Sequence, residues 1–204
     1  MQMITDMAII LAGGKSTRMG FDKQELLFNG KPAAIYLAEL LEDEFKFISI
    51  VTNNPSLYKN SKYNLLEDIV TDKGPLGGLY TGLMCLNNGY AYLTACDMPF
   101  INFGYIQYMK NIIHNNKSCK AVITRYSQNM LEPFNAFYSA CTTQTIKEIL
   151  DKNSFKMSSL FNTINTHYIS EAEARIFSPD WTMFANINTK EDLKLINVEY
   201  SSHP

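Results

Sequence analysis

The sequence predicts an α/β protein built on one doubly wound, mostly parallel sheet with helices on both faces. Three observations predict it. Short apolar runs without polar alternation recur along the chain, as in strands buried on both faces. Segments with apolar residues at helical spacing separate most of these runs, and such alternation implies a parallel sheet with crossover helices. The first run opens into a glycine-rich, cationic loop, which is how α/β proteins hold phosphate outside the carboxyl end of a sheet.

The first strand is Met7 to Ala12, apolar throughout. Gly13-Gly14 ends it, permitting a tight turn and letting backbone N–H groups face outward without a Cβ in the way. Lys15, Arg18 and Lys23 follow. Gly30-Lys31-Pro32 marks a turn, and proline suits the first turn of a helix on which Ala34, Leu37, Ala38 and Leu41 share a face. Phe47 to Thr52 is the second buried strand, closed by Asn53-Asn54-Pro55. Tyr63 to Glu67, ending in Asp68, is a less apolar strand. A helix starts at Gly74-Pro75-Leu76-Gly77-Gly78, with Leu76, Leu79, Leu83 and Leu86 inward.

Ala91 to Ala95 is the next apolar run, stopped by Cys96-Asp97-Met98-Pro99. The following helix is apolar at Phe103, Ile106, Met109 and Ile113. Ala121 to Thr124 and Phe134 to Tyr138 are further strands, and Thr142 to Leu150 is a helix with Ile146, Ile149 and Leu150 inward. Asn186-Ile187-Asn188 leads into Thr189 and Asp192, a capping-box-like start to a last helix seated on Leu193 and Ile196. Phe155 to Asp180 shows no clear pattern.

With 204 residues the chain fits a single domain over 1–204. Its 46% hydrophobic and 19% charged content is that of a soluble globular protein. A formal charge of -2 gives no general attraction to nucleic acid or to an anionic membrane, so any phosphate affinity is local. No apolar run reaches membrane-spanning length, and MQMITD lacks the basic and apolar regions of a signal peptide. Cys85, Cys96, Cys119 and Cys141 have no paired metal-ligand spacing, which suggests reduced thiols and a cytoplasmic protein.

Gly14-Lys15-Ser16 resembles the tail of a P-loop, but the glycine that motif needs five residues earlier is Ile9. Gly13, Gly14 and Gly20 are not at dinucleotide-fingerprint spacing either. Asp97, at the end of a buried strand and followed by Pro99, is a candidate magnesium ligand, since Mg2+ is usually held by one or two carboxylates plus substrate phosphates. Its structural alternative is a cap for the helix beginning near Asn102. His114, His167 and His203 stand apart from both loops, which disfavours acid–base or nucleophilic catalysis. Cations and one metal carboxylate suit phosphoryl-group chemistry, where positioning and charge neutralisation dominate.

LAGGKSTRMG with Asp22-Lys23, GPLGG, CDMP, EPFNAFY and FANINTKEDL, in this order from about Ile9 to Leu193, resemble the motifs of the MobA-like nucleotidyltransferases, the molybdenum cofactor guanylyltransferases. Double-glycine LAGG and the Asn-x-Asn-Thr-x-x-Asp-Leu ending lean towards the guanylyl branch, since related cytidylyltransferases tend to read LAAG. The resemblance implies a Rossmann-like nucleotidyltransferase fold, Mg2+ as cofactor, GTP as nucleotide and molybdenum-bearing molybdopterin as acceptor. Molybdenum-insertion and molybdoenzyme-maturation proteins would be further partners.

By the same resemblance, the backbone of Leu11, Ala12 and Gly13, joined by Gly14, contacts the nucleotide, and Arg18 and Lys23 hold its phosphates. Asp68 matches the nucleotide-contacting aspartate, with Asp72 as its rival. Asp97 matches the magnesium aspartate. Asn186 and Asn188 match an Asn-x-Asn near the metal and the pterin, Asn188 as a metal ligand. Glu25 stands where many relatives have leucine, and EPFNAFY departs from a commoner Pro-Leu pattern. Two alternatives remain open: the same fold moving CMP, or GMP to another phosphorylated acceptor; and a nucleotide-binding module without catalysis. The pair Lys23 and Asp97 weighs against the module.

Overall fold

The strand Met7–Ala12 (β1) is buried at every position because it lies inside a seven-stranded sheet. It pairs in parallel with Phe47–Thr52 (β4) on one side and with Tyr90–Ala95 (β6) on the other. The computed structural model describes residues 5–13, 26–70, 73–127, 130–187 and 192. Beyond β4 the sheet ends in Asn64–Glu67 (β5). Beyond β6 come Met130–Ser139 (β8), Ala121–Tyr126 (β7) and Thr166–Ser170 (β9), giving the order β5-β4-β1-β6-β8-β7-β9. A small separate ribbon pairs Leu27–Phe28 (β2) with Lys31–Pro32 (β3) across Asn29-Gly30, both at positive φ, as a tight hairpin turn requires.

Alternate residues of β1 serve two cores. Ala8, Ile10 and Ala12 face the side covered by Ala33–Leu41 (α1) and Phe103–Asn115 (α3). Met7, Ile9 and Leu11 face Gly74–Leu83 (α2), Thr143–Asp151 (α4) and Met157–Phe161 (α5). Helices on both faces are what unbroken apolar strands demand, and the doubly wound expectation holds.

Four details differ from the pattern read along the chain. First, β8 is antiparallel to both its neighbours, because no crossover helix separates it from β7 and a short connection can only reverse the chain. Second, Phe103 is 40% exposed at the start of α3, and Tyr105 takes its place in the core. Third, α2 stops at Leu83, so Leu86 packs on the core from the following turn. Fourth, the unpatterned stretch holds α5, edge strand β9 and Glu171–Arg175 (α6), the last opened by a capping box between Ser170 and Glu173. The Asn188-to-Ile196 expectation falls outside the described residues, Asp192 apart.

Glycines let α2 lie close on β1. A Cβ on Gly78 would stand 2.9 Å from Leu11 Cδ2, and one on Gly82 would stand 2.6 to 2.8 Å from three side-chain carbons of Ile9. Gly78 and Gly82, one turn apart, thus fit Leu11 and Ile9, two residues apart on one face. Ile9 in mid-strand also explains why the P-loop pattern fails. Gly82→Ala is expected to destabilise the protein by about 1–3 kcal/mol through overpacking, outweighing the roughly 1 kcal/mol that alanine gains in helix propensity. Gly78→Ala meets only the branch end of Leu11 and costs less. Chemical denaturation of both variants checks this, and an unchanged or raised stability of Gly82→Ala would contradict it.

Candidate functional site

β1, β4, β5, β6, β7 and β9 run in one direction, so their carboxyl ends form one edge, and β8 begins there. Ligands of open α/β sheets bind at this edge.

β6 ends in a turn closed by the Met98 N–H donating to the Ala95 carbonyl at 3.0 Å, with Asp97 at its third position. The Cys96 N–H donates to the Leu11 carbonyl at 3.0 Å, so this turn is tied to the end of β1. The Ile187 N–H donates to the Asp97 carbonyl at 2.8 Å. Ile187 is buried and Asn186 exposed, so one main-chain bond brings the Asn186-Ile187 segment against Asp97. Asp97 itself is only 8% exposed. The capping alternative for Asp97 fails: Asn102 caps α3 itself, its Oδ1 accepting from the Tyr105 N–H at 2.9 Å.

On the β1 side, Gly13 is exposed just past the strand and faces Asn53, whose Nδ2 would lie 3.9 Å from a Cβ at that position. Leu11 and Ala12 are buried, and the Leu11 carbonyl is engaged by Cys96, so Gly13 is the open member of the three. Asp68, just past β5, lies at the same edge. Its Oδ1 accepts from Thr81 Oγ1 at 3.0 Å and from the Val70 N–H at 3.3 Å, while Thr81 Oγ1 also accepts from the Ile69 N–H. One oxygen of Asp68 therefore braces the loop after β5 against α2. Gly77 lets that loop close, since a Cβ there would stand 3.0 Å from the Val70 carbonyl oxygen. Gly78 packs closely on Leu11. The N-terminus of α2 opens onto this edge, and Lys73 at its N-cap makes no side-chain capping bond. Helix N-termini of this kind suit anions.

Asp97, Asn186, Gly13 and Asp68 thus share one edge. Gly14, Arg18, Lys23, Asp72 and Asn188, also expected here, lie outside the described residues. His114 ends α3 and His167 sits in the first half of β9, both away from the edge. A groove among Met7, Phe47, Tyr63 and Leu86 lies at the opposite, amino edge and takes in none of the expected residues. Asn53 escaped the sequence reading, because an asparagine before Asn-Pro looks like turn chemistry alone.

A second cluster also escaped it. Asn135 is buried at φ 48, where β8 bulges away from regular pairing. Its Oδ1 accepts from the Tyr92 hydroxyl at 2.8 Å and from Thr94 Oγ1 at 3.0 Å, and its Nδ2 donates to the Met183 carbonyl. Past the bulge, Glu132 pairs opposite Thr124 on β7 and bonds to the Tyr126 hydroxyl. Burial pushes the Glu132 carboxyl up to about 7, and the Tyr126 bond offsets this only in part.

This layout is that of a ligand-binding α/β sheet. The chain belongs to the MobA-like NTP transferase family, whose domain model matches residues 8–166. It is 44% identical over 197 residues to the Peptoclostridium acidaminophilum protein named "Probable molybdenum cofactor guanylyltransferase", covering 95% of this chain and 89% of that one. It is 43% identical over 187 residues to the molybdenum cofactor guanylyltransferase of Syntrophotalea carbinolica, covering 92% and 88%. The crystal structure of molybdopterin-guanine dinucleotide biosynthesis protein A from Archaeoglobus fulgidus superposes with a TM-score of 0.80 over 97% of this chain and 100% of that one. Its 22% identity speaks for the fold alone.

The Glu132 environment has a measurable sign. The carboxyl titrates near 7 when folded and near the ordinary 4.5 when unfolded, so its neutral form favours folding. That contribution is complete below pH 4.5 and is lost as pH rises through 7. Glu132→Gln is therefore expected to melt higher than the parent at pH 8, with the gap closing by pH 4. A gap that does not change with pH would contradict the assigned environment.

Proposed function

We propose that this protein transfers GMP from GTP to the terminal phosphate of molybdenum-bearing molybdopterin in the cytoplasm, releasing pyrophosphate. Identity of 43–44% to two proteins carrying the guanylyltransferase name supports this reading most strongly. The turn that fixes the Asp97 backbone beside the Asn186-Ile187 segment, at the carboxyl edge of the sheet, supports it further. Four free cysteines accord with a reducing compartment, and no helix among the described residues is long and apolar enough to cross a membrane.

In the proposed reaction an acceptor phosphate oxygen attacks the α-phosphorus of GTP. One P–O bond forms there as the bond to the β-phosphate oxygen breaks, and pyrophosphate leaves. The attacking oxygen is already ionised at neutral pH, so no strong base is needed. Gly13 and Gly14 would hold the nucleotide through backbone N–H groups, and Asp68 would contact it. Arg18 and Lys23 would neutralise charge on the phosphates as it builds towards the transition state. Asp97 is a buried carboxylate held by its own backbone turn, next to an asparagine-bearing segment. An all-oxygen donor set of this kind fits Mg2+, which would add Lewis-acid neutralisation of phosphate charge. Asp97 would hold it, with Asn188 as the second protein ligand.

Pyrophosphate release, measured with each NTP with and without molybdenum-bearing molybdopterin, tests the reading. Release should require GTP and the acceptor together. A preference for CTP would move the protein to cytidylyl transfer, and no release with any NTP would make it a binding module. Asp97→Asn should keep the fold and lower turnover by roughly 10²–10³-fold. Near-normal magnesium-dependent turnover in the folded variant would remove Asp97 from the site.

A further inference from the structure

We propose that Glu132, with Tyr126 and Trp181, forms the subsite that takes the pterin ring of the acceptor. The inference rests on the guanylyl-transfer reading and deepens it.

β6 and β8 pair as far as Leu93 and Ala136; beyond that point the bulge at Asn135 carries β8 away, and it pairs with β7 alone. Continued in register, Glu132 would have come opposite Asp97. Asp97, in the turn after β6, and Glu132, on β8, instead stand on either side of the place where the strands part. Glu132 lies opposite Thr124, and directly opposed residues share a face. The Thr124 hydroxyl meets that of Tyr105 from α3, which fixes the face, and Tyr126 follows on it two residues later. Trp181 closes the cluster, its ring 5.5 Å from that of Tyr126 and 4.7 Å from that of Phe184. From Trp181 the chain runs through Met183, bonded to Asn135, to Ile187, bonded to Asp97. One short segment thus links the aromatic cluster to the Asp97 turn.

Two features here are unfavourable in themselves. Trp181 has φ 69, a left-handed backbone that a bulky side chain rarely adopts and that marks stored strain. Glu132 is half-buried with a neutral phenol as its partner, and a poorly compensated carboxylate beside the carboxyl edge of the sheet is a candidate for ligand contact. The ligand chemistry follows from the pair. A carboxylate accepts from two adjacent N–H groups, and the half-buried rings of Tyr126 and Trp181, the latter also carrying the Arg175 guanidinium at 4.9 Å, supply π surface beside it. A planar heterocycle with an amino group beside a ring N–H fits both demands. Pterin and guanine share that edge. Asp68, Gly13 and the α2 N-terminus lie on the other side of Asp97, so the Glu132 side is left for the acceptor.

Trp181 is the single tryptophan of the sequence, so its emission reports on this cluster alone. Titrating the full chain with 6-hydroxymethylpterin, corrected for absorption by the pterin, should give saturable quenching that guanosine does not reproduce. In Glu132→Gln the quenching should weaken at least tenfold. The KM for molybdenum-bearing molybdopterin should rise about 10- to 100-fold while the KM for GTP stays within twofold. No saturable quenching in the unmodified protein overturns the subsite, whether or not the variant folds. So does an unchanged acceptor KM in an active variant, or a rise confined to GTP, which would assign Glu132 to guanine. Pterin quenching without any GMP transfer would instead overturn the guanylyl-transfer reading and leave the subsite standing.

Discussion

The carboxyl edge depends on how β6 ends. Three main-chain hydrogen bonds meet there: Met98 to Ala95 closes the turn, Cys96 to Leu11 ties it to β1, and Ile187 to Asp97 brings in a segment from far along the chain. All three run between main-chain groups, so the backbone positions of Asp97 and of the Asn186-Ile187 segment are set by the fold itself. Preorganisation of this kind lets a carboxylate and its neighbours act on phosphate charge without first being ordered. Met98 and Ile187, both buried, anchor the turn and the incoming segment in the core.

The same edge is divided by the bulge at Asn135. A buried asparagine with both ends of its amide satisfied is costly to disturb, and here it joins β6, β8 and the Met183 segment at once. On one side lie Gly13, Asn53, Asp68 and the start of α2, a polar and backbone-rich region suited to a nucleotide. On the other lie Glu132, Tyr126 and Trp181, an aromatic region around one carboxylate. Asp97 stands between them, which is the arrangement a transfer between two bound molecules requires.

The fold was legible where burial is two-sided. β1, β4 and β6 announce themselves as unbroken apolar runs because both their faces meet helices. β9 does not, since an edge strand is half exposed and its pattern of Thr166, His167 and Tyr168 resembles a loop. At the carboxyl edge, Asp97 was legible because a carboxylate ending an apolar run is conspicuous. Asp68 was legible at the end of the β5 run, but its bond to Thr81 was not, since that pair depends on how α2 lies on β5. Glu132 was visible only as a letter in a motif. Its setting arises from a bulge and from a tryptophan 49 positions later, and no local pattern encodes either.

In the proposed reaction a metal-held nucleotide would sit at the end of β6, on Asp97. Crystals grown with Mn2+ and a non-hydrolysable GTP analogue would test it through the anomalous signal of manganese. A peak about 2 Å from the Asp97 carboxylate, bridging to the analogue's phosphates and absent from Asp97→Asn, is the predicted result. Bound analogue with the manganese peak away from Asp97, or a peak unchanged by the substitution, would contradict the account.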